Sequence, residues 1–200
     1  MLTGRHFTLP LQALEPMDLT GDGSATLLLL NPTGGIVGGD RLETEIVLGP
    51  GSRVCLSTPS ATRVYRSPER PAVQRVSIAI GRGATLEWLP DHLIPSAGAR
   101  LRQVTEITMA PHATLLYLDA WATGRLARGE AWGFDLLDSR LLVCDAAGIL
   151  LHERASLAGP RLDGLGGTEG LGYVGTFVAL RAGEATDRPA DPGAGGWEDL

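Results

Sequence analysis

One pattern recurs three times along the chain: an apolar strand-like run, a tight turn of small residues, and a second apolar run. The copies span Ile46 to Val54, Ile78 to Leu86 and Ile107 to Leu115, so they begin 32 and 29 residues apart. The turns at matching places are Gly49-Pro50-Gly51, Gly81-Arg82-Gly83 and Ala110-Pro111-His112. A repeat of this length predicts stacked β-strands, because each copy can bury its apolar face only against its neighbours. Hairpins in a β-sandwich give a similar pattern, so a sandwich is the alternative.

The composition favours many short strands over helices. The chain of 200 residues contains 27 Gly and 13 Pro, which punctuate elements rather than fill them. No segment shows a sustained helical stripe, and the best short-helix candidate, 59–67, is limited by Pro59 and Pro68. We therefore predict an all-β, mainly β fold of stacked strands, β-helix-like or sandwich-like, with at most one or two short helices. Residues 1–182 are predicted to form a single domain, and 183–200 an acidic, Gly/Pro-rich flexible tail.

Two segments fit the repeat less well. In 101–109 the apolar residues Leu101, Val104, Ile107 and Met109 do not alternate cleanly, which leaves the strand register open. A fourth, looser copy is predicted at 142–151.

Several function classes are disfavoured by the residues present. The formal net charge is −6 and every basic residue is Arg, which disfavours a nucleic-acid binder and removes chemistry that needs lysine. The four histidines never occur at metal-ligand spacing, and Cys55 and Cys144 lie far apart in strand-like surroundings with no evident activating neighbour. The longest aliphatic run, Leu27–Leu30, is too short to span a bilayer. We expect a cytoplasmic protein without nucleic-acid or membrane partners.

An enzyme remains the competing interpretation. Glu43 and Glu45 would face the same side of a strand, and Asp135 and Asp138 form a second pair, so a stand-alone carboxylate hydrolase on a β-fold is the alternative function. Exposed carboxylates on strands more commonly serve only to make the strand surface soluble in water, without a catalytic role.

A basic segment favours a protein interface. Residues 53–82 carry six arginines against Glu69 alone, which suits an acidic protein partner. Tyr65 lies between Arg63 and Arg66, and Tyr and Arg are typical interface anchors.

Four ordered motifs carry a resemblance to a known family. They are Asn31-Pro-Thr-Gly-Gly-Ile-Val-Gly-Gly-Asp40, Thr58-Pro-Ser-Ala-Thr-Arg-Val-Tyr-Arg-Ser67, Leu86-Glu-Trp-Leu-Pro-Asp91 and Thr123-Gly-Arg-Leu-Ala-Arg-Gly-Glu130. Together they resemble the urease accessory protein UreD (UreH) family over about residues 27–155. The family-motif or partner-binding residues implied are Asn31, Pro32, Gly34, Gly35, Gly38, Gly39, Asp40, Thr58, Thr62, Tyr65, Arg66, Leu89, Pro90, Gly124, Arg125, Gly129 and Glu130.

The resemblance implies a scaffold without catalytic residues. It implies a metallochaperone role in urease maturation, in which UreF, UreG and apo-urease are the partners and nickel is carried in transit. No tightly bound cofactor and no fixed metal site are implied. We expect Asp40 to line a transient nickel path, because weak oxygen ligands release the ion where tight ones would trap it. Family members continue past the strand at 172–180, so we expect a shortened member.

Overall fold

The computed structural model describes residues 2–158 and 170–184, and their regular secondary structure is almost entirely β-strand. Within these residues thirteen strands are formed: β1 Gln12–Ala13, β2 Ala25–Leu30, β3 Arg41–Leu48, β4 Arg53–Ser57, β5 Thr62–Val64, β6 Ala72–Ile80, β7 Thr85–Leu89, β8 Leu93–Pro95, β9 Arg100–Met109, β10 Thr114–Ala122, β11 Leu136–Asp145, β12 Gly148–Leu157 and β13 Tyr173–Arg181. The described helix is one turn of 3₁₀-helix, Leu126–Arg128.

The strands form two sheets that the chain visits alternately. The five-stranded sheet has the order β12-β11-β9-β6-β3. The eight-stranded sheet runs β1-β2-β4-β7-β10-β8-β5, with β13 paired to β10. We call each passage of the chain through both sheets a coil. Strands of successive coils pair in parallel, as for β3 with β6 and β4 with β7. Each of the three predicted copies therefore leaves one sheet at its turn and enters the other, which confirms the stacked-strand fold.

The three turns stack directly on one another. Gly51 donates its N–H to the Arg82 carbonyl at 2.9 Å, and Gly83 donates to the Pro111 carbonyl at 3.1 Å. The third turn position has a left-handed backbone in every copy, with φ of 66° at Gly51, 63° at Gly83 and 62° at His112. Glycine adopts this conformation without strain, which explains why two of the three turns place it there.

The stack ends differently from the prediction at 142–151. That segment spans the turn between β11 and β12, which are antiparallel neighbours in the same sheet, so it does not cross to the second sheet as the three true copies do. The chain crosses only afterwards, and β13 returns antiparallel along β10. The last described strand of each sheet is therefore antiparallel to its neighbour.

Two separate apolar clusters pack between the sheets. The first lies against the stacked turns and contains Ile78, Leu86, Ile107 and Leu115. The second is built around Ile36, Leu101, Trp121 and Phe134, among others. The inward positions of the strands between the two clusters are largely polar.

The short helix predicted at 59–67 is wrong. Thr62–Val64 forms β5, which pairs in parallel with β8, and Ile36 forms a parallel bridge to Val64. Pairing with the neighbouring coils overrides the weak local helix preference of this short segment. The last described strand ends at Arg181. Glu184 Oε1 accepts a hydrogen bond from His112 Nε2 at 2.7 Å, and the rest of the predicted tail lies outside the described residues.

Candidate functional site

A band of polar side chains lies between the sheets, in the middle of the molecule. We call it the polar interior layer; it comprises Thr44, Gln74, Gln103, Thr105, Tyr117, Asp119, Ser139, Glu153 and Thr176. Strand register produces it. Gln74 pairs with Gln103 and Gln103 with Ser139, whereas four residues further along each strand the same side of the sheet carries Ile78, Ile107 and Val143. The layer spans five adjacent strands, about 19 Å at the usual strand spacing.

Asp119 is the most heavily hydrogen-bonded member of the layer. Its Oδ2 accepts from Gln103 Nε2 at 3.2 Å and from Ser139 Oγ at 3.4 Å, and both donors belong to the opposite sheet. Its Oδ1 accepts from Trp121 Nε1 at 3.1 Å. Burial raises the pKa of the Asp119 carboxyl, and the three hydrogen bonds offset only part of that effect. The carboxylate is therefore held in place while its charge is poorly solvated.

A second carboxylate lies further along the layer. Glu153 on β12 accepts a hydrogen bond from Thr176 Oγ1 on β13 at 2.5 Å, which again joins the two sheets. Its charge contributes to the raised pKa of Asp119. Among the described residues, no arginine forms an ion pair with either carboxylate. The layer therefore holds two acidic groups and no compensating basic side chain from the described part of the chain.

The layer opens toward the β3 end of the stack. A cavity of about 1690 Å³ lies there, and its walls include Thr44, Gln74, Gln103, Tyr117 and Asp119. Burial also raises the pKa of the Tyr117 phenol, so it stays neutral beside the carboxylate.

Sequence reasoning did not identify the polar interior layer, although one signal of it was visible. Gln103 and Thr105 occupy inward positions of β9, which is why the apolar residues of 101–109 do not alternate cleanly. The other members come from different coils, and only the fold brings them together.

The family-motif residues lie elsewhere, in the connections on the side away from the stacked turns. Within the first motif, the Asn31 side-chain amide donates to the Gly35 carbonyl at 3.1 Å. Tyr65 of the second motif donates its hydroxyl to the Gly34 carbonyl at 3.2 Å. A Cβ on Gly35 would lie 2.5 Å from the Arg63 carbonyl oxygen, so this glycine permits two connections to touch.

The second and third motifs are in contact in the same way. Thr58 Oγ1 accepts from the Asp91 N–H at 2.9 Å, and the Thr62 N–H donates to the His92 carbonyl at 3.1 Å. Ser57 donates its hydroxyl to the Leu89 carbonyl at 2.7 Å. The remaining predicted positions of these motifs, Pro32, Gly38, Gly39, Arg66 and Pro90, lie in the same connections.

The fourth motif forms a loop closed by an ion pair. Arg125 donates from Nε and Nη2 to the two carboxylate oxygens of Glu130, at 2.7 and 2.5 Å. This contact raises the pKa of Arg125 and lowers that of Glu130. Gly124 packs against the Glu130 carbonyl, and Gly129 ends the 3₁₀ turn with φ of 71°. The motifs thus connect neighbouring coils, a structural role that leaves their predicted partner-binding role untested.

Asp40 has a local partner. Its Oδ2 accepts from the Val37 N–H at 3.0 Å, across the glycine-rich turn. Asp40 is not among the residues that line the cavity.

The other candidates from the sequence are dispersed. Glu43 and Glu45 are exposed on β3, Asp135 lies in the loop before β11, and Asp138 pairs with Arg154 at 3.4 Å. Within residues 2–158 and 170–184, no three His, Cys, Asp or Glu side chains lie close enough to hold a metal ion. Cys55 and Cys144 are free thiols in different sheets.

Of the six arginines between 53 and 82, two have acidic neighbours outside that segment. Arg53 pairs with Asp22 at 2.7 Å, and Arg82 lies 3.9 Å from Glu184.

Two sheets of stacked strands around a polar interior define a β-solenoid-like protein. Comparison with known proteins identifies its family: the model described as "UreD urease accessory protein" matches residues 1–192. The chain belongs to the UreD urease accessory protein family. This confirms the resemblance carried by the four motifs.

Individual relatives agree. A urease accessory protein UreD from Pseudomonas putida is 42% identical over 183 residues, which is 90% of this chain and 63% of the relative. That of Actinomyces naeslundii is 33% identical over 86% of this chain and 64% of its own length. That of Delftia acidovorans is 37% identical over 75% of this chain and 48% of its own length. The chain thus spans about half to two thirds of the length of these relatives.

No helix in the described part of the chain is long and apolar enough to cross a membrane.

Proposed function

We propose that this protein is a scaffold in urease maturation that carries nickel along its polar interior layer to apo-urease. The observation that supports this most directly is the layer itself. A protein interior normally buries apolar groups, and two carboxylates without basic partners make folding less favourable. A divalent cation in transit is the counter-ion that such an arrangement suits.

The chemistry of the layer fits an ion that must not be trapped. Its donors are carboxylate, amide and hydroxyl oxygens, which bind nickel more weakly than imidazole or thiolate ligands do. Gln103 and Ser139 are both hydrogen-bonded to Asp119, so the ion would exchange one oxygen ligand for the next within this group. The apolar clusters on both sides confine water and ions to this band.

The partners proposed are UreF, UreG and apo-urease, with the phosphate chemistry of nucleotide hydrolysis left to UreG. The motif connections around Tyr65 and Arg125 are the proposed partner surface, because they group exposed polar and basic side chains at one side of the stack. In this role the protein supplies no catalytic residue. Asp40 is retained as a proposed transient ligand at that surface.

The test compares three aspartates in different places: Asp119 in the polar interior layer, Asp40 in the glycine-rich turn, and Asp138 on β11. The chain is co-expressed with urease subunits, UreF and UreG as wild type, Asp119→Asn, Asp40→Asn and Asp138→Asn. Asp138 lies next to Ser139 on β11 but pairs with Arg154, so it serves as the matched control. Nickel per urease is measured by mass spectrometry, and complex formation by pull-down.

We expect all four proteins to enter the complex and Asp138→Asn to load nickel normally. Asp119→Asn should lower the nickel content of urease at least about twofold, since it removes the buried charge that attracts the cation. Asp40→Asn should lower it as well, because Asp40 is proposed as a transient ligand at the partner surface. Normal loading with Asp119→Asn would refute passage along the layer, and failure of the wild type to join any complex would refute the scaffold role.

A further inference from the structure

The outer side of the five-stranded sheet carries a concentration of arginine. Along β9 the odd-numbered residues face the interior, as Leu101, Gln103 and Thr105 do, so the even-numbered residues face outward. The strand register places the outward sides of β3, β6, β11 and β12 next to them. Six outward arginines lie in the half of this side where β3, β6, β9 and β11 begin, next to the motif connections: Arg41, Arg75, Arg100, Arg102, Arg140 and Arg154. We call this half of the outer side the basic face.

The basic face holds few acidic groups to balance these cations. Asp138 pairs with Arg154 at 3.4 Å, and Glu43 lies opposite Arg75 in the register of β3 and β6. Within residues 2–158 and 170–184, the other five arginines of this face form no ion pair. Six arginines against two carboxylates leave an excess of positive charge here, although the whole chain has a formal net charge of −6.

The register also brings like charges together. Arg140 on β11 lies directly opposite Arg154 on β12, and like charges in this position destabilise a sheet. The Nε atoms of Arg100 and Arg140 are buried and have no hydrogen-bond acceptor among the described residues. A buried donor without an acceptor makes folding less favourable. The isolated fold therefore holds these arginines together at a cost, and an anionic partner would offset the repulsion between them.

We propose that the basic face docks an acidic segment of another protein, whose Asp and Glu carboxylates bind Arg102, Arg140 and their neighbours. Charge complementarity carries the proposal, because the planar guanidinium of arginine matches a carboxylate with two parallel hydrogen bonds. Arg75 and Arg140 are two strands apart, about 10 Å at the usual spacing. The face can therefore bind several carboxylates of one segment at once. The proposal stands independently of nickel transfer.

A protein segment suits this face better than a nucleic acid does. The outward residues described on the basic face include Val73, Val104 and Leu136 but no aromatic side chain. Proteins that bind single-stranded nucleic acid rely on aromatic side chains that stack on the bases. Aliphatic side chains between arginines instead offer apolar contacts to the side chains of a protein segment.

The test measures binding of an acidic probe to the full chain by fluorescence anisotropy. The probe is a short fluorescein-labelled peptide of alternating Glu and Ser, at about 20 mM ionic strength, where charge screening is weak. Arg102→Gln/Arg140→Gln should fold, as judged by circular dichroism, and weaken binding at least about fivefold. The matched control is Arg53→Gln/Arg82→Gln, which changes the net charge equally. These side chains are 57% and 60% exposed and lie outside the basic face, so binding should change less than about twofold.

The absence of lysine from the chain allows a second readout. Arg102→Lys keeps the positive charge and places an amine on the basic face. A carbodiimide joins an amine to a carboxylate that touches it, through an amide bond, and mass spectrometry identifies the linked residues. Arg102→Lys should become linked to Glu of the peptide, whereas Arg82→Lys, the control at the stacked turns, should show no more linkage than the wild type.

Three results would overturn the proposal. One is a wild-type chain that does not bind the peptide at about 1 mM. The second is an equal effect at the two places, either on affinity in the two double variants or on linkage in Arg102→Lys and Arg82→Lys, because net charge alone would then explain the binding. The third is tighter binding of a single-stranded oligothymidylate of the same charge than of the peptide, which would identify a nucleic-acid surface instead.

Discussion

Gly124 gives a quantitative test of how the fourth motif is built. Its backbone has φ of 150°, and a Cβ there would lie 2.2 Å from the Glu130 carbonyl oxygen. In Gly124→Ala the unfavourable backbone conformation costs about 1–3 kcal/mol. Relief of the close approach costs about 1–3 kcal/mol more. The sum of about 2–6 kcal/mol corresponds to a fall in Tm of roughly 5–20 °C for a chain of this size.

Thermal unfolding followed by circular dichroism measures this effect, with Gly129→Ala as the matched control. Gly129 also has a positive φ, 71°, but nothing lies within 4 Å of the position its Cβ would take. That variant should lose only about 1–2 kcal/mol for the left-handed backbone. If Gly124→Ala melts at the same temperature as Gly129→Ala or above it, the close packing of this loop is refuted.

Two further predictions concern the interior. Because the pKa of Asp119 is raised, the folded state binds its proton more tightly; this contribution to stability is present below the ordinary Asp pKa of about 3.9 and is lost as pH rises through the raised value. In urea unfolding from about pH 4 upward, Asp119→Asn should therefore gain stability relative to wild type, and parallel pH profiles would contradict this. Phe134→Ala should destabilise the second apolar cluster by about 3–5 kcal/mol, because Phe134 is only 1% exposed. Val47→Ala should change stability by less than about 0.5 kcal/mol, and an equal effect of both variants would argue against this core.

The repeat predicted the architecture well because it marks turns that recur at equivalent positions along the chain. Gly51, Gly83 and His112 recur at the same turn position, and the structure stacks these turns on one another. The prediction of a fourth copy was wrong. Leu142 and Leu151 have the apolar character of the repeat, but the sheet that a strand joins depends on contacts far away in sequence. The helix at 59–67 failed for the same reason, since parallel pairing with β8 determines the conformation of Thr62–Val64.

The site was harder to predict than the fold. The motif residues were recognised as a set, and the structure explains many of them by contacts between coils, such as Tyr65 with Gly34. The polar interior layer has no linear motif, because Gln103, Asp119 and Glu153 come from different strands. Each is an ordinary residue in its own segment, and only the register of the sheets identifies it as internal.

The stacked coils make the polar interior layer modular. Each coil adds one strand to the five-stranded sheet and lengthens the layer by about 4.8 Å. A relative with one more or one fewer coil would carry the same cross-section over a longer or shorter span. Distance between the two ends of the molecule is thus counted in whole coils, so this fold can match the separation of two partners by duplication or loss of a single repeat.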